Sequence, residues 1–412
     1  MRTKKIAVLT SGGDAPGMNA AVRAVTKAGL DAGFEVLGVM EGYKGLIEDN
    51  LVKLDKSDVD NQIANGGTRL YSARCLEFAT YEGIKAAWKT CVRNNIVGLV
   101  AIGGDGTFRG ATDLSNFDPR DTALEGKFYK QKLVDGKYVK LEGDVDNSDV
   151  IDDKYFAKKL DFRVKCIGMP GTIDNDISST DSTIGFDTAM NTVIEAVDKL
   201  RDTCESHARC DVVEVMGRAA GYVALEAGIA VGATAVLCKE VPYSEDEIVE
   251  RMKALRAQGK RNFLILLAEG VPLDQLKNKT YGEELTKRLE EKTGVESRFA
   301  RLAHVVRGGS PSLRDRLMAS MMGEYAVRLL SEGKTNRVVC QQNDALVDLD
   351  INYALMVDKK FKTLLDASYS KAPTAKELAK FSAEELAEMD AFCQKKFEVF
   401  KDMYRVAEKL GK

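Results

Sequence analysis

Short apolar runs alternate along the chain with longer stretches whose apolar residues recur at helical spacing. Residues 5–10, 34–40, 96–102, 164–168, 211–215, 233–238 and 263–268 are the runs, each with the length and bounding residues of a buried strand. Between them, residues 18–32, 186–203, 219–231 and 245–258 read as helices, with Ala21, Val22, Val25 and Ala28 marking one face of the first. This alternation predicts an α/β fold whose parallel sheets are covered by helices. Ligands of such sheets bind beyond the carboxyl ends of the strands.

Three glycine-and-aspartate turns occupy that position: Thr10-Ser11-Gly12-Gly13-Asp14, Gly103-Gly104-Asp105-Gly106-Thr107 and Gly171-Thr172-Ile173-Asp174-Asn175-Asp176. A glycine turn at a helix start lets backbone N–H groups approach a phosphate. The aspartates add a metal ligand and a base. The first turn read alone is equally a tight strand-to-helix connection, and it is neither a Walker loop nor a dinucleotide fingerprint. In the second, a buried strand delivers Asp105 into the glycines, where it can hold Mg²⁺ between nucleotide phosphates. In the third, Asp174 and Asp176 project to similar sides, so one carboxyl is raised toward a general base; an Asx-turn or helix cap is the alternative. The set points to phosphoryl transfer onto a small phosphorylated substrate.

Two segments break the rhythm. Residues 117–161 are charged and poor in aliphatics, with a hairpin signal at 128–141 centred on Asp135-Gly136, a type I′ turn pair. Residues 376–410, rich in Ala, Glu, Lys and Phe, predict helices packed on the body or at an interface. The length of 412 residues favours two domains. A net charge of −3 argues against general nucleic-acid binding. No apolar run approaches the ~18 residues of a membrane span, and the run after the basic start is too short for a secretory signal, so a cytoplasmic protein is expected. Eight cysteines without Cys-x-x-Cys pairing read as buried reduced thiols. With His207 and His304 the only histidines, carboxylates, arginines and backbone groups must carry the chemistry. Met216-Gly217-Arg218 ends a strand where a sugar phosphate can bind; Arg209, Arg298, His304 and Arg307, each taken alone, are ordinary surface or half-buried residues.

Residues 10–21, 103–106, 170–177, 212–218 and 304–311 together resemble the motifs of bacterial ATP-dependent 6-phosphofructokinases, over residues 4 to about 350 outside the insertion. The resemblance implies two Rossmann-like domains, each a mainly parallel sheet with helices on both faces. Residues 1–184 and 307–359 would bind nucleotide, with the surface insertion at about 117–163. Residues 185–306 and 360–412 would bind fructose 6-phosphate and carry the helical tail. The implied reaction moves a phosphoryl group from ATP to the 1-hydroxyl of D-fructose 6-phosphate, with Mg²⁺ on Asp105. Asp174 is then the base, with Thr172 and Arg218 beside it. Gly13, Tyr43, Arg74, Cys75, Gly104, Asp105, Gly106, Thr107 and Gly110 would line the nucleotide site. Thr172, Asp174, Asp176, Met216, Gly217, Arg218, Glu269, His304 and Arg307 would hold the sugar phosphate. Arg209 and Arg298 would reach in from a neighbouring subunit of at least a dimer, in the family usually a homotetramer.

Relatives that use pyrophosphate also resemble the chain, but carry an acid at the place of Gly106 and a lysine at that of Gly171; glycine at both predicts room for ATP. Ala79 replaces the second arginine of the nucleotide loop, and Cys75 an aromatic residue. Arg23, Lys27, Lys56, Arg201 and Lys260 keep the basic character of the family's effector site, whereas Thr234 and Asn262 replace an acidic residue and a histidine there. Regulation by ADP or phosphoenolpyruvate is therefore not implied. NAD-kinase-like and lipid-kinase-like enzymes share the Gly-Gly-Asp-Gly-Thr turn but lack the 174–176 and 216–218 elements. A non-catalytic sugar-phosphate-binding regulator would have lost Asp105 or Asp174, and both are present.

Overall fold

The computed structural model describes residues 4–121, 131–134, 137–140, 155–218, 220–271, 280–365, 369 and 371–412. Its strands, in chain order, are β1 (Lys5–Thr10), β2 (Glu35–Val39), β3 (Leu51–Leu54), β4 (Ile96–Gly103), β5 (Gln131–Val134), β6 (Lys137–Lys140), β7 (Lys165–Pro170), β8 (Cys210–Val215), β9 (Ala235–Leu237), β10 (Phe263–Ala268), β11 (Ser297–Arg301), β12 (Arg337–Gln342) and β13 (Ala345–Asp350). The chain divides into two compact units. One comprises Met1–Thr172, Ser179–Gly185 and Gly309–Leu355; the other Ile173–Ser178, Phe186–Gly308 and Met356–Lys412.

The first unit holds a seven-stranded sheet ordered β13-β12-β7-β4-β1-β2-β3, with β12 to β2 parallel and an antiparallel strand at each edge. Ile6, Ala7, Val8 and Leu9 of β1 are wholly buried, as are Leu99, Val100, Ala101 and Ile102 of β4. A strand covered on both faces reads as a continuous apolar run rather than an alternation. The helices Met18–Asp31 and Leu313–Ser331 pack on each other, and Asp105–Asn116 packs on β4 and β7. The second unit holds a four-stranded parallel sheet, β11-β8-β10-β9. Its helices include Phe186–His207, Tyr222–Ala230 and Ala383–Leu410. The α/β class read from the sequence is the class observed. The cysteines are all free thiols; Cys75 is half-buried and the others are buried.

The expected hairpin is present as the antiparallel pair β5–β6, with Val134 opposite Lys137; the turn pair 135–136 lies outside the described residues. The borders of the insertion are anchored in the first unit. Trp88, fully buried, meets Phe117 and Phe156 with ring centroids 5.9 Å apart in each case, and donates its indole N–H to the Phe162 carbonyl at 3.1 Å. Such aromatic pairs add about 0.5–1.5 kcal/mol beyond the burial itself. In the tail, Ser382 and Glu385 form a capping box that starts the last helix. Phe400 of that helix is buried edge-on against Tyr222 at 5.1 Å. Among the described residues no helix is long and apolar enough to cross a membrane.

Candidate active site

In the first unit the glycine turns after β1 and β4 are stitched together. Ser11 N–H donates to the Ile102 carbonyl at 2.9 Å, and Thr107 Oγ1 donates to the Ser11 carbonyl at 3.2 Å. A Cβ on Gly103 would collide with both the Ser11 carbonyl and Thr107 Oγ1, so only glycine allows this approach. Asp105 opens the helix Asp105–Asn116, half-buried, at the end where first-turn N–H groups point outward. Gly104 and Gly106 on either side have nothing within 4 Å of a Cβ position. Gly13 is exposed, and Ser72 Oγ holds the Gly12 carbonyl at 2.5 Å.

The segment leading to Arg74 is pinned to the same turns. Thr10 Oγ1 donates to the Tyr71 carbonyl at 2.8 Å, and Asn19 Oδ1 accepts from Arg69 N–H at 2.6 Å. Arg74 is exposed. Burial raises the Cys75 thiol above its ordinary value, which keeps it protonated. Tyr43 packs against two of the other expected nucleotide residues, Thr107 and Gly110. Its ring is buried and stacked on Phe78 at 4.0 Å, it covers Gly110, whose Cβ would lie 2.9 Å away, and its hydroxyl donates to the Thr107 carbonyl at 2.6 Å. Tyr43 therefore supports the Gly103–Thr107 turn from its core side.

Gly171 corrects an expectation. A Cβ there would lie 2.9 Å from Ile102 Cγ2 and 3.2 Å from Met18 Cε, so this glycine serves close packing and does not open space for a ligand. The room argued from two glycines exists at Gly106 alone. Thr172 is buried, and its carbonyl accepts from Thr183 Oγ1 at 2.6 Å.

In the second unit Asp174 is 5% exposed. Burial raises its carboxyl to about 6; Asp176 and Glu269 push the same way, while Arg307 and Arg218 oppose. Asn175 between the two acids has φ 50°, a left-handed conformation that asparagine tolerates. Beyond β8, Gly217 has φ 152°, and a Cβ there would lie 2.6 Å from the Ala220 carbonyl. Only glycine makes this turn, and Arg218 follows it, exposed, with φ 55°. Glu269, just past β10, receives Arg218 N–H on Oε1 at 2.5 Å and Gly217 N–H at 3.4 Å. His304 (exposed) and Arg307 (half-buried) share the 3₁₀ turn Ala303–Arg307.

The structure thus brings Asp174, Asp176, Arg218, Glu269 and Arg307 into one electrostatic group. Arg209 and Arg298 lie elsewhere, on Glu296: Arg209 Nη2 is 3.0 Å from its Oε1, and Arg298 bonds the same oxygen. They flank the start of β8, whereas Met216–Arg218 follow its end, about 20 Å away for a six-residue strand. Glu296 carried no signal in the sequence, being one of many surface acids. Of the basic residues the resemblance assigned to an effector site, Lys27 pairs with Asp60, Arg201 bonds the Val231 carbonyl, and Lys260 lines a cavity of 290 Å³ with Arg256 and Arg261.

The Phosphofructokinase family profile matches residues 5–330. The chain is 44% identical over 358 residues to the ATP-dependent 6-phosphofructokinase of Clostridium novyi (strain NT), covering 87% of this chain and 96% of that one. It is 45% identical over 348 residues to the ATP-dependent 6-phosphofructokinase of Bacillus subtilis (strain 168), covering 84% and 92%. The solved phosphofructokinase of Saccharomyces cerevisiae aligns with a TM-score of 0.75 at 34% identity over 95% of this chain. The alignment spans half the length of that yeast chain. A pyrophosphate-dependent phosphofructokinase from Marinobacter aquaeolei shares the fold, with a TM-score of 0.66 at 19% identity over 84% of this chain and 83% of that one. With the profile covering most of its length and identities above 40% to curated members, the chain belongs to the phosphofructokinase family.

Proposed function

We propose that this protein transfers the γ-phosphoryl group of ATP to the 1-hydroxyl of D-fructose 6-phosphate, giving fructose 1,6-bisphosphate and ADP. The observation that carries the reading is the environment of Asp174, a buried carboxyl raised to about 6 beside two arginines and two further acids. Such a group is ionised at neutral pH yet basic enough to accept an alcohol proton as the phosphoryl group arrives. Arg218 and Arg307 answer the negative charge of the sugar phosphate, with His304 at its rim. Asp176, Met216 and Gly217 shape its seat, and Glu269 holds the Gly217–Arg218 turn in place.

The first unit takes the nucleotide role. The turns at Gly12–Gly13 and Gly103–Thr107 offer N–H groups to the phosphates, and Arg74 adds charge. Asp105 is the carboxylate offered to Mg²⁺, which fits a cation that takes one or two protein carboxylates and binds otherwise to phosphate and water. When bound, the metal neutralises phosphate charge during transfer. Gly106 supports ATP over pyrophosphate, since its open Cβ position leaves space for the α-phosphate. Arg209 and Arg298, a strand's length from the Met216–Arg218 turn, suit a sugar-phosphate site completed by a second copy, and so an oligomer of at least two chains. The cytoplasm is the compartment in which both substrates of this reaction would be met.

A coupled assay with ATP, GTP and pyrophosphate as donors tests the reading. Turnover with ATP and fructose 6-phosphate is expected. Turnover with pyrophosphate alone would refute the donor assignment, and near-native turnover by Asp174→Ser would remove Asp174 from the base role.

A further inference from the structure

The segment carrying Asp174 and Asp176 ends at Ser178, and both backbone polar groups of Ser178 are held by side chains from far along the chain. Its N–H donates to Asp358 Oδ1 at 2.5 Å, and its carbonyl accepts from Lys396 Nζ at 2.9 Å. Lys362 Nζ, one helical turn beyond Asp358, lies 3.9 Å from Asp176 Oδ2. Asp358 is 4% exposed and shares a helix face with the buried Ala354, Leu355 and Phe361. An acid in such surroundings is costly unless it answers a donor; here the donor is the N–H of a residue outside any strand or helix. Lys396 Nζ lies 5.7 Å from the ring centroid of Tyr222 and 6.0 Å from that of Phe361, which fixes its approach to the Ser178 carbonyl. Asp358, Lys362 and Lys396 all lie beyond residue 330, where the family match ends.

We propose that Asp358 and Lys396 are positioning residues that set the placement of the Asp174 loop, so that the C-terminal helices serve phosphoryl transfer as well as stability. This rests on the reading of Asp174 as the base. The loop is short, and Ile173 and Ile177 are fully buried within it. Releasing the Ser178 carbonyl therefore shifts the loop without unfolding it. A displacement of ~1 Å at a reacting group costs on the order of a hundredfold in rate.

The test uses the full chain in an ATP and fructose 6-phosphate assay, with melting temperature measured in parallel. Lys396→Met keeps the stem and removes the donor; Lys396→Arg keeps a donor. Asp358→Ala removes the acceptor; Asp358→Asn keeps an oxygen. Lys396→Met and Asp358→Ala are expected to lower kcat roughly 10- to 100-fold, with KM for ATP within about twofold. The conservative variants Lys396→Arg and Asp358→Asn are expected to keep kcat within about threefold of the parent. If Asp358→Ala does not fold, the Lys396 pair decides. A parent-like kcat for Lys396→Met, or an equal loss in Lys396→Arg, overturns the proposal. An active parent and an inactive Asp174→Asn alongside a parent-like Lys396→Met would overturn positioning alone. An inactive parent, or an active Asp174→Asn, would overturn the functional reading and this proposal with it.

Discussion

Replacing Asp174 by asparagine should inactivate the enzyme and make it more stable. Asp174 titrates at about 6 in the folded protein against an ordinary 3.8, and it is almost wholly buried. Because the folded value is the higher one, the protonated acid favours the fold below about pH 4, and that contribution is lost as pH rises through 6. A difference of about two units corresponds to about 3 kcal/mol of cost for holding the carboxylate ionised near pH 8. An asparagine side chain has the same shape without the charge. The substitution Asp174→Asn should therefore raise stability by up to about 3 kcal/mol near pH 8 and by only about 1 kcal/mol near pH 4.5. For a cooperative unit of this size that is a rise of roughly 5–10 °C in melting temperature at the higher pH. Thermal unfolding of parent and variant at both pH values gives the comparison, and turnover of the same samples should fall by about 10²–10⁴. A variant that melts at or below the parent near pH 8, with a gap independent of pH, would refute the account of Asp174 as a buried, electrostatically strained acid.

Three further outcomes follow from the same geometry. The parent's kcat should fall about tenfold per pH unit below about pH 6, as Asp174 takes up its proton, and a limb near the ordinary carboxylate value of 3.8 would contradict the burial. Gly106→Asp should fold normally, with stability changed by no more than about 0.5 kcal/mol, because nothing lies within 4 Å of its Cβ position. Its KM for ATP should nevertheless rise at least about tenfold in steady-state kinetics, about 1.4 kcal/mol of lost binding. Gly171→Ala should cost about 1–3 kcal/mol in denaturant unfolding, since the new methyl meets Ile102 and Met18; an unchanged midpoint would show that these neighbours yield freely.

Strands buried on both faces were the legible part of the fold. β10 spans the residues read as its run, 263–268, because every position in it is apolar and buried. Two edge strands escaped: β11, Ser-Arg-Phe-Ala-Arg, carries two exposed arginines among its five residues, and β13 is mostly half-buried. Their pairing comes from the neighbouring strand rather than from their own pattern. The glycine-and-aspartate turns were legible because glycine next to aspartate has few structural uses. The direction of a glycine's missing side chain was not, and so Gly106 and Gly171 looked alike in sequence while one opens to space and the other to core. Asp358 left a fainter trace. An acid four residues after Ala354 and three before Phe361 interrupts an apolar helix face, and only the contact with Ser178 gives that interruption a meaning.

The chain enters each unit more than once, and this limits how the protein can be cut or inherited. A fragment ending at Thr172 would lack β12 and β13, leaving β7 as a raw edge, and would also lack the Leu313–Ser331 helix that covers Met18–Asp31. A fragment of residues 186–308 would keep the four-stranded sheet but lose Asp174 and the helix that seats Phe400 against Tyr222. Neither half is a transplantable module, so insertions and permutations will be tolerated at an exposed turn such as Ala32–Gly33 sooner than at any point where the chain leaves one unit for the other.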